Sequence, residues 1–172
     1  MFKNLNHALR WTFEVLERDI TGYSNTAAIM RLGEQCGASA STSPDDLTIQ
    51  EQKAQAVWIL LMINSCANQI ERHVISAKYG NELIDNGADF LAHEVNGGRF
   101  EVEIVKDIIC NIYNHHDSKY KMKRIADRHG KHINSVYRLK DTIEKQLNEW
   151  QFSAEKKIED LLIEKGLINR LT

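Results

Sequence analysis

A chain of 172 residues, 42% hydrophobic and 27% charged, has the usage of an ordinary globular domain, and one proline with nine glycines leaves few breaks for a many-stranded sandwich or barrel. Three cysteines, Cys36, Cys66 and Cys110, form no CxxC pair and are odd in number, which speaks against a disulfide framework and a four-ligand zinc site, so no cofactor is expected. The formal net charge of −2 taken alone argues against a nucleic-acid partner, and an N-terminus without basic flank, apolar block and cleavage site argues for a cytoplasmic protein.

Leu5, Leu9, Phe13 and Leu16 recur at three- and four-residue steps, which predicts an amphipathic helix over Asn4 to Arg18, capped by Asn4 or Asn6 and left at Gly22. A weaker helical stretch, Asn25 to Glu34, leads into a small, polar, proline-containing loop over residues 37–46. Thr48 followed by Glu51 reads as a capping box opening a helix to about Ala67. Its apolar stretch contains Gln55, Asn64 and Ser65 and falls short of the roughly 20 residues that cross a bilayer, so it is expected in a core and no membrane partner is expected. Helices follow over Ala67 to Tyr79 and Glu82 to Val95, and Asn96-Gly97-Gly98 is a stop. That Asn-Gly step also fits a hairpin pairing Ala92–Val95 with Arg99–Glu103, but Phe100, Ile104, Ile108 and Ile112 run at four-residue steps and argue for a helix ending near His115 and His116. Ser153 is expected to cap a closing amphipathic helix, with Ile158, Leu161 and Leu162 facing inward until Gly166.

Charge is distributed unevenly. Between Lys119 and Lys140 stand eight basic side chains and one acid, Asp127, so this segment is +7 and the remainder −9. Within it, Ile125, Ala126, Gly130, Val136 and Leu139 have the spacing of a helix-turn-helix: a small residue where two helices cross, a glycine in the turn and an apolar residue closing the pocket. The second helix would start near His132 and project His132, Asn134, Ser135 and Arg138 toward base edges. Lys119, Lys121, Lys123, Arg124, Arg128 and Lys131 would meet backbone phosphates, and Tyr120 and Tyr137, inside the same segment, would touch phosphate or sugar. Two positions depart from the pattern: His129 and Lys131 stand where apolar residues are common, so either Ile133 turns into the pocket or the second helix starts a residue late.

Upstream, Glu71-Arg72, Val74-Ile75 and Tyr79-Gly80 within Gln69 to Gly80 resemble the run that precedes the helix-turn-helix in sigma-factor region 4, here with residues 81–117 inserted between the two. Together with Leu9-Arg10-Trp11 and the closing helix Ser153 to Leu167, the layout is similar to small phage antitermination proteins of the Q type. That resemblance implies binding of double-stranded DNA near a late promoter and engagement of RNA polymerase paused there. The cysteine-rich zinc element of some larger members has no counterpart in this sequence.

Other constellations are weaker. Cys110, His115 and His116, with His93 or His129, are candidate metal ligands, but adjacent helical histidines diverge and no HExxH pattern occurs. Asp85, Asp89, Glu94, Glu101, Glu103 and Asp107 scatter at solvent-face spacings without a nucleophile signature, so no enzyme is expected. Trp11, Trp58 and Trp150 are expected in cores. The expected fold is all-α: N-terminal helices and a polar loop over 1–46, a helical core over 47–117, a helix-turn-helix over 118–150 and a C-terminal amphipathic helix over 151–172. The expected function is sequence-specific DNA binding in transcription regulation. A dimeric repressor, a helical protein-interaction factor and a metal-dependent nuclease are the alternatives.

Overall fold

The computed structural model of the chain describes residues 2–18, 47–80, 84–113 and 118–169, with the backbone alone at 84–86 and 118. The expected helix over Asn25 to Glu34, the loop over 37–46 and the histidines at 115 and 116 lie outside these residues. The described residues form seven α-helices and a 3-10 turn, and their one extended feature is a parallel bridge between Phe2 and Ile168. The fold is all-α, and no described helix is long and apolar enough to cross a membrane. The chain divides into two units, residues 1–68 with 155–172, and residues 69–154.

In the first unit, α1 (Leu5–Glu17) packs against α2 (Ile49–Cys66). Asn4 caps α1 as its spacing predicts, its side chain accepting from the His7 amide at 2.9 Å. Leu5, Leu9 and Phe13 are buried, so the four-residue period defines the inward stripe. Thr48 and Glu51 form the expected capping box: the Thr48 hydroxyl accepts from the Glu51 amide while the Glu51 carboxylate accepts from the Thr48 amide. The Phe2 amide donates to the Leu167 carbonyl at 2.8 Å, and the Phe2 ring meets Trp11 edge-on at 5.2 Å.

The second unit holds α3 (Gln69–Tyr79), α4 (Ile84–Asn96), α5 (Val102–Tyr113), the 3-10 turn (Ser118–Tyr120), α6 (Met122–Arg128) and the first part of α7 (Ile133–Glu164). Consecutive helices pack on one another from α3 through α6. One cluster joins Val74 of α3, Leu91 and Ala92 of α4, Ile104, Val105, Ile108 and Ile109 of α5, Ile125 and Ala126 of α6, and Val136, Ile143 and Leu147 of α7. Trp150 is half-buried against it.

One alternative falls and two expectations are corrected. The hairpin does not form: Ala92–Val95 closes α4, and the loop after it runs through Gly97 and Gly98, both at positive φ, into α5. Phe100 is not the first residue of the α5 stripe, because the Asn96 amide accepts from its backbone N–H and donates to its carbonyl, each at 2.6 Å, holding it in the loop at 50% exposure. Ser153 does not begin a helix. It lies deep inside α7, where its hydroxyl donates to the buried Glu71 carboxylate at 2.7 Å, and α7 continues unbroken to Glu164 and its glycine stop at Gly166 (φ +69°).

Candidate nucleic-acid interface

The basic segment becomes the 3-10 turn, the seven-residue α6, a four-residue turn and the start of α7. Met122, Ile125 and Ala126 are buried because α6 lies against α5, and Val136 meets them in the same cluster from the first turn of α7. Ile133 and Leu139 pack against its margin. The Asn111 side chain of α5 donates to the Tyr120 carbonyl at 2.8 Å, tying down the approach to α6.

The turn closes α6 by a two-bond glycine cap. The Lys131 amide donates to the Ala126 carbonyl at 3.0 Å and the Gly130 amide to Asp127 at 3.3 Å, while Gly130 takes φ +59°. That left-handed conformation is why a glycine stands at 130. His132 then opens α7: its carbonyl accepts from Ser135 and Val136, and its Nδ1 accepts from the Asn134 amide at 3.3 Å. A histidine thus does the work usually given to serine or aspartate.

Of the two departures from the apolar pattern, Lys131 meets Glu101 and His129 meets Asp107 on α5. The Asp107 Oδ2 lies 2.8 Å from His129 Nε2 and 2.6 Å from Arg128 Nη1. Only 11% of the His129 side chain and 14% of that of Asp107 are exposed, so a polar contact occupies the place of an apolar one. Arg128 also donates to the Lys119 carbonyl at 3.1 Å. Lys131 pairs with Glu101 at 3.2 Å on the surface, and the Lys119 ammonium lies 4.6 Å from the centre of the Tyr120 ring. Burial pushes the Tyr120 phenol above its ordinary value, so it stays protonated and uncharged at neutral pH.

The candidate contact residues other than the half-buried Tyr120 are exposed: Lys119, Lys121, Lys123, Arg124, Arg128 and Lys131 along the 3-10 turn, α6 and the turn, with His132, Asn134, Ser135, Tyr137 and Arg138 at the start of α7. Asn134, Tyr137 and Arg138 share one outward face at three- and four-residue steps. They are not equivalent, since Arg128 and Lys131 are held by acids of the helix beneath and of its loop. Sequence reasoning treated Asp107 and Glu101 as scattered solvent acids and missed both pairs. The available signal was His129, a polar residue at an apolar position that calls for a buried partner.

Other candidates resolve differently. Glu71 and Ser153 form an internal hydrogen bond, and Tyr79 is buried at the end of α3, so much of the run from Gln69 to Gly80 faces inward. Cys110 is buried in the core. Among the described residues no three His, Cys, Asp or Glu side chains are grouped to hold a metal ion. Asp89 pairs with Lys106 at 2.7 Å. No protein-family model matches the chain, and comparison with curated proteins gives no match.

Proposed function

We propose that the chain is a transcription regulator that binds double-stranded DNA through a helix-turn-helix built of α6, its glycine turn and the first turns of α7. It acts as a binding protein rather than an enzyme. The supporting observation is the partition of a single segment: its apolar residues Ile125, Ala126 and Val136 are buried, while its candidate contact residues other than the half-buried Tyr120 are exposed. In this reading the outward face of α7 enters the major groove, where Asn134, Ser135 and Arg138 meet base edges. Lys121, Lys123 and Arg124 of α6 neutralise phosphates of the flanking strand.

The narrower reading is a phage-type antiterminator that engages RNA polymerase at a late promoter, and it rests on the sequence resemblance to the Q-type proteins. Titration of a fluorescent duplex at low salt, with and without RNA polymerase, tests both levels. Duplex binding is expected for the protein alone, and tighter binding with polymerase. No binding to duplex at low salt would overturn the DNA reading, and affinity indifferent to polymerase would overturn the antiterminator.

A further inference from the structure

The loop between α4 and α5 runs beside the first turns of α7. Its residues Gly98 to Glu101 and Ile104 of α5 line a groove of about 510 Å³ together with Lys131, Ser135 and Leu139, and among the described residues none from α6 lines it. The loop therefore flanks α7 on the side that α6 leaves open. Its far end is fastened to the turn before α7, where the Glu101 carboxylate lies 3.2 Å from the Lys131 ammonium.

The loop is held in one shape. Asn96, itself 3% exposed, grips the Phe100 backbone with both ends of its amide, and the Arg99 amide donates to the Asn96 carbonyl at 3.0 Å. What this frame presents is Arg99, whose exposed side chain enters no ion pair among the described residues. The neighbouring acid, Glu101, is already matched by Lys131, so the charge left over on this flank is that of Arg99. A positioned cation without a counter-charge, set next to a DNA-facing helix, is a fit for an anion.

We propose, resting on the DNA reading above, that the α4–α5 loop is a second contact element for the duplex and that Arg99 neutralises a phosphate of the strand opposite the one α6 meets. A helix seated in the major groove has a phosphate strand along each edge, the edges about 12 Å apart. Lys121, Lys123 and Arg124 meet one of them. On the other flank the segment's own cation, Lys131, is taken by Glu101, and Arg99 supplies the charge that Lys131 cannot. It carries no base preference, because a phosphate contact positions the helix without reading sequence.

Titration of the full chain with a duplex of arbitrary sequence across a salt series tests this, with Arg99→Ala, Arg99→Lys, Lys123→Ala and the double alanine variant beside the wild type. Arg99→Ala should lower affinity about five- to tenfold at about 0.1 M salt and make the slope of log K against log salt shallower by about one, since one fewer counterion is released. Arg99→Lys should keep the wild-type slope, and the double variant should be shallower by about two, because the two side chains meet different phosphates. Both positions are exposed, and unchanged far-UV circular dichroism verifies that each variant folds. A wild-type slope in Arg99→Ala overturns the proposal even if affinity falls, as does an Arg99→Lys protein that behaves like Arg99→Ala. When Lys123→Ala still flattens the slope, that failure leaves the DNA reading standing; a slope that neither variant alters overturns both. A double variant no shallower than either single one would place both cations on one phosphate and overturn the assignment to the opposite strand.

Discussion

Arg138 and Lys123 are both exposed cations, but they stand at different distances from what they would touch. Arg138 is on the outward face of α7, one turn beyond Asn134, and Lys123 is on α6. Arg138→Ala should cost about 1–3 kcal/mol on a duplex selected from a random pool and much less on a scrambled one. Lys123→Ala should weaken both duplexes about equally. Equal losses for Arg138→Ala on both would show that Arg138 holds only phosphate. Asp107 makes an opposite prediction, because it ties Arg128 and His129 to α5. Asp107→Ala should destabilise the fold by about 1–3 kcal/mol and tighten non-specific DNA binding, since Arg128 is released and an acid is removed; denaturant melts and duplex titration on one sample read both.

His73 supplies a residue-scale test outside the interface. Its ring stacks at 4.6 Å on Phe90, and burial, reinforced by the Arg72 charge, holds it below its ordinary value of 6.5. Protonation therefore favours the unfolded chain. The stability contributed by neutral His73 is complete above 6.5 and is lost as pH falls from there toward its lower folded value. Melting temperature followed through that window should fall for the wild type and stay flatter for His73→Gln; parallel curves would show that His73 is not the group responsible.

At the scale of elements, the junction of α6 and α7 holds two positions, one in the turn and one in α7, that single substitutions should damage to unequal degrees. Gly130 has open space around a would-be Cβ, so the obstacle to Gly130→Ala is its φ of +59° alone, a cost of about 1–2 kcal/mol. Val136→Asp should cost far more, because it buries a charge among Ile125, Ala126 and Ile108. Circular dichroism and duplex binding should both collapse, and a Val136→Asp protein with full helicity and unchanged affinity would mean that no DNA-binding helix pair exists here.

What could be read in advance divides by range. Asn4 and the pair Thr48 and Glu51 were legible because each cap is settled within one turn of its own helix. The end of α6 was legible in Gly130 for the same reason. Ser153 misled because its partner, Glu71, is 82 positions away; a serine inside a helix is tolerated once its hydroxyl has such an acceptor. The corrective signal was periodicity: Ile143, Leu147, Trp150, Ala154, Ile158 and Leu162 keep one helical stripe straight through 153. The partner of His129, Asp107, 22 positions away, could not be named on the same grounds. The candidate contact residues could be named from charge and spacing, whereas which of them are tied to acids could not.

At the scale of the whole molecule, the decisive property is that a chain of net charge −2 concentrates +7 between Lys119 and Lys140. The acids outside that segment should repel phosphate, so alanine at Asp89 or Glu94 should leave duplex affinity nearly unchanged. The central claim, that this one segment carries DNA binding, is tested most directly by the salt dependence of affinity for a duplex of arbitrary sequence, which requires no knowledge of the target. If about five side chains neutralise phosphates, log K should fall against log salt with a slope of about −4 to −5, and Lys123→Ala should make it shallower by about one. A flat dependence, or a slope that Lys123→Ala leaves unchanged, would contradict the claim.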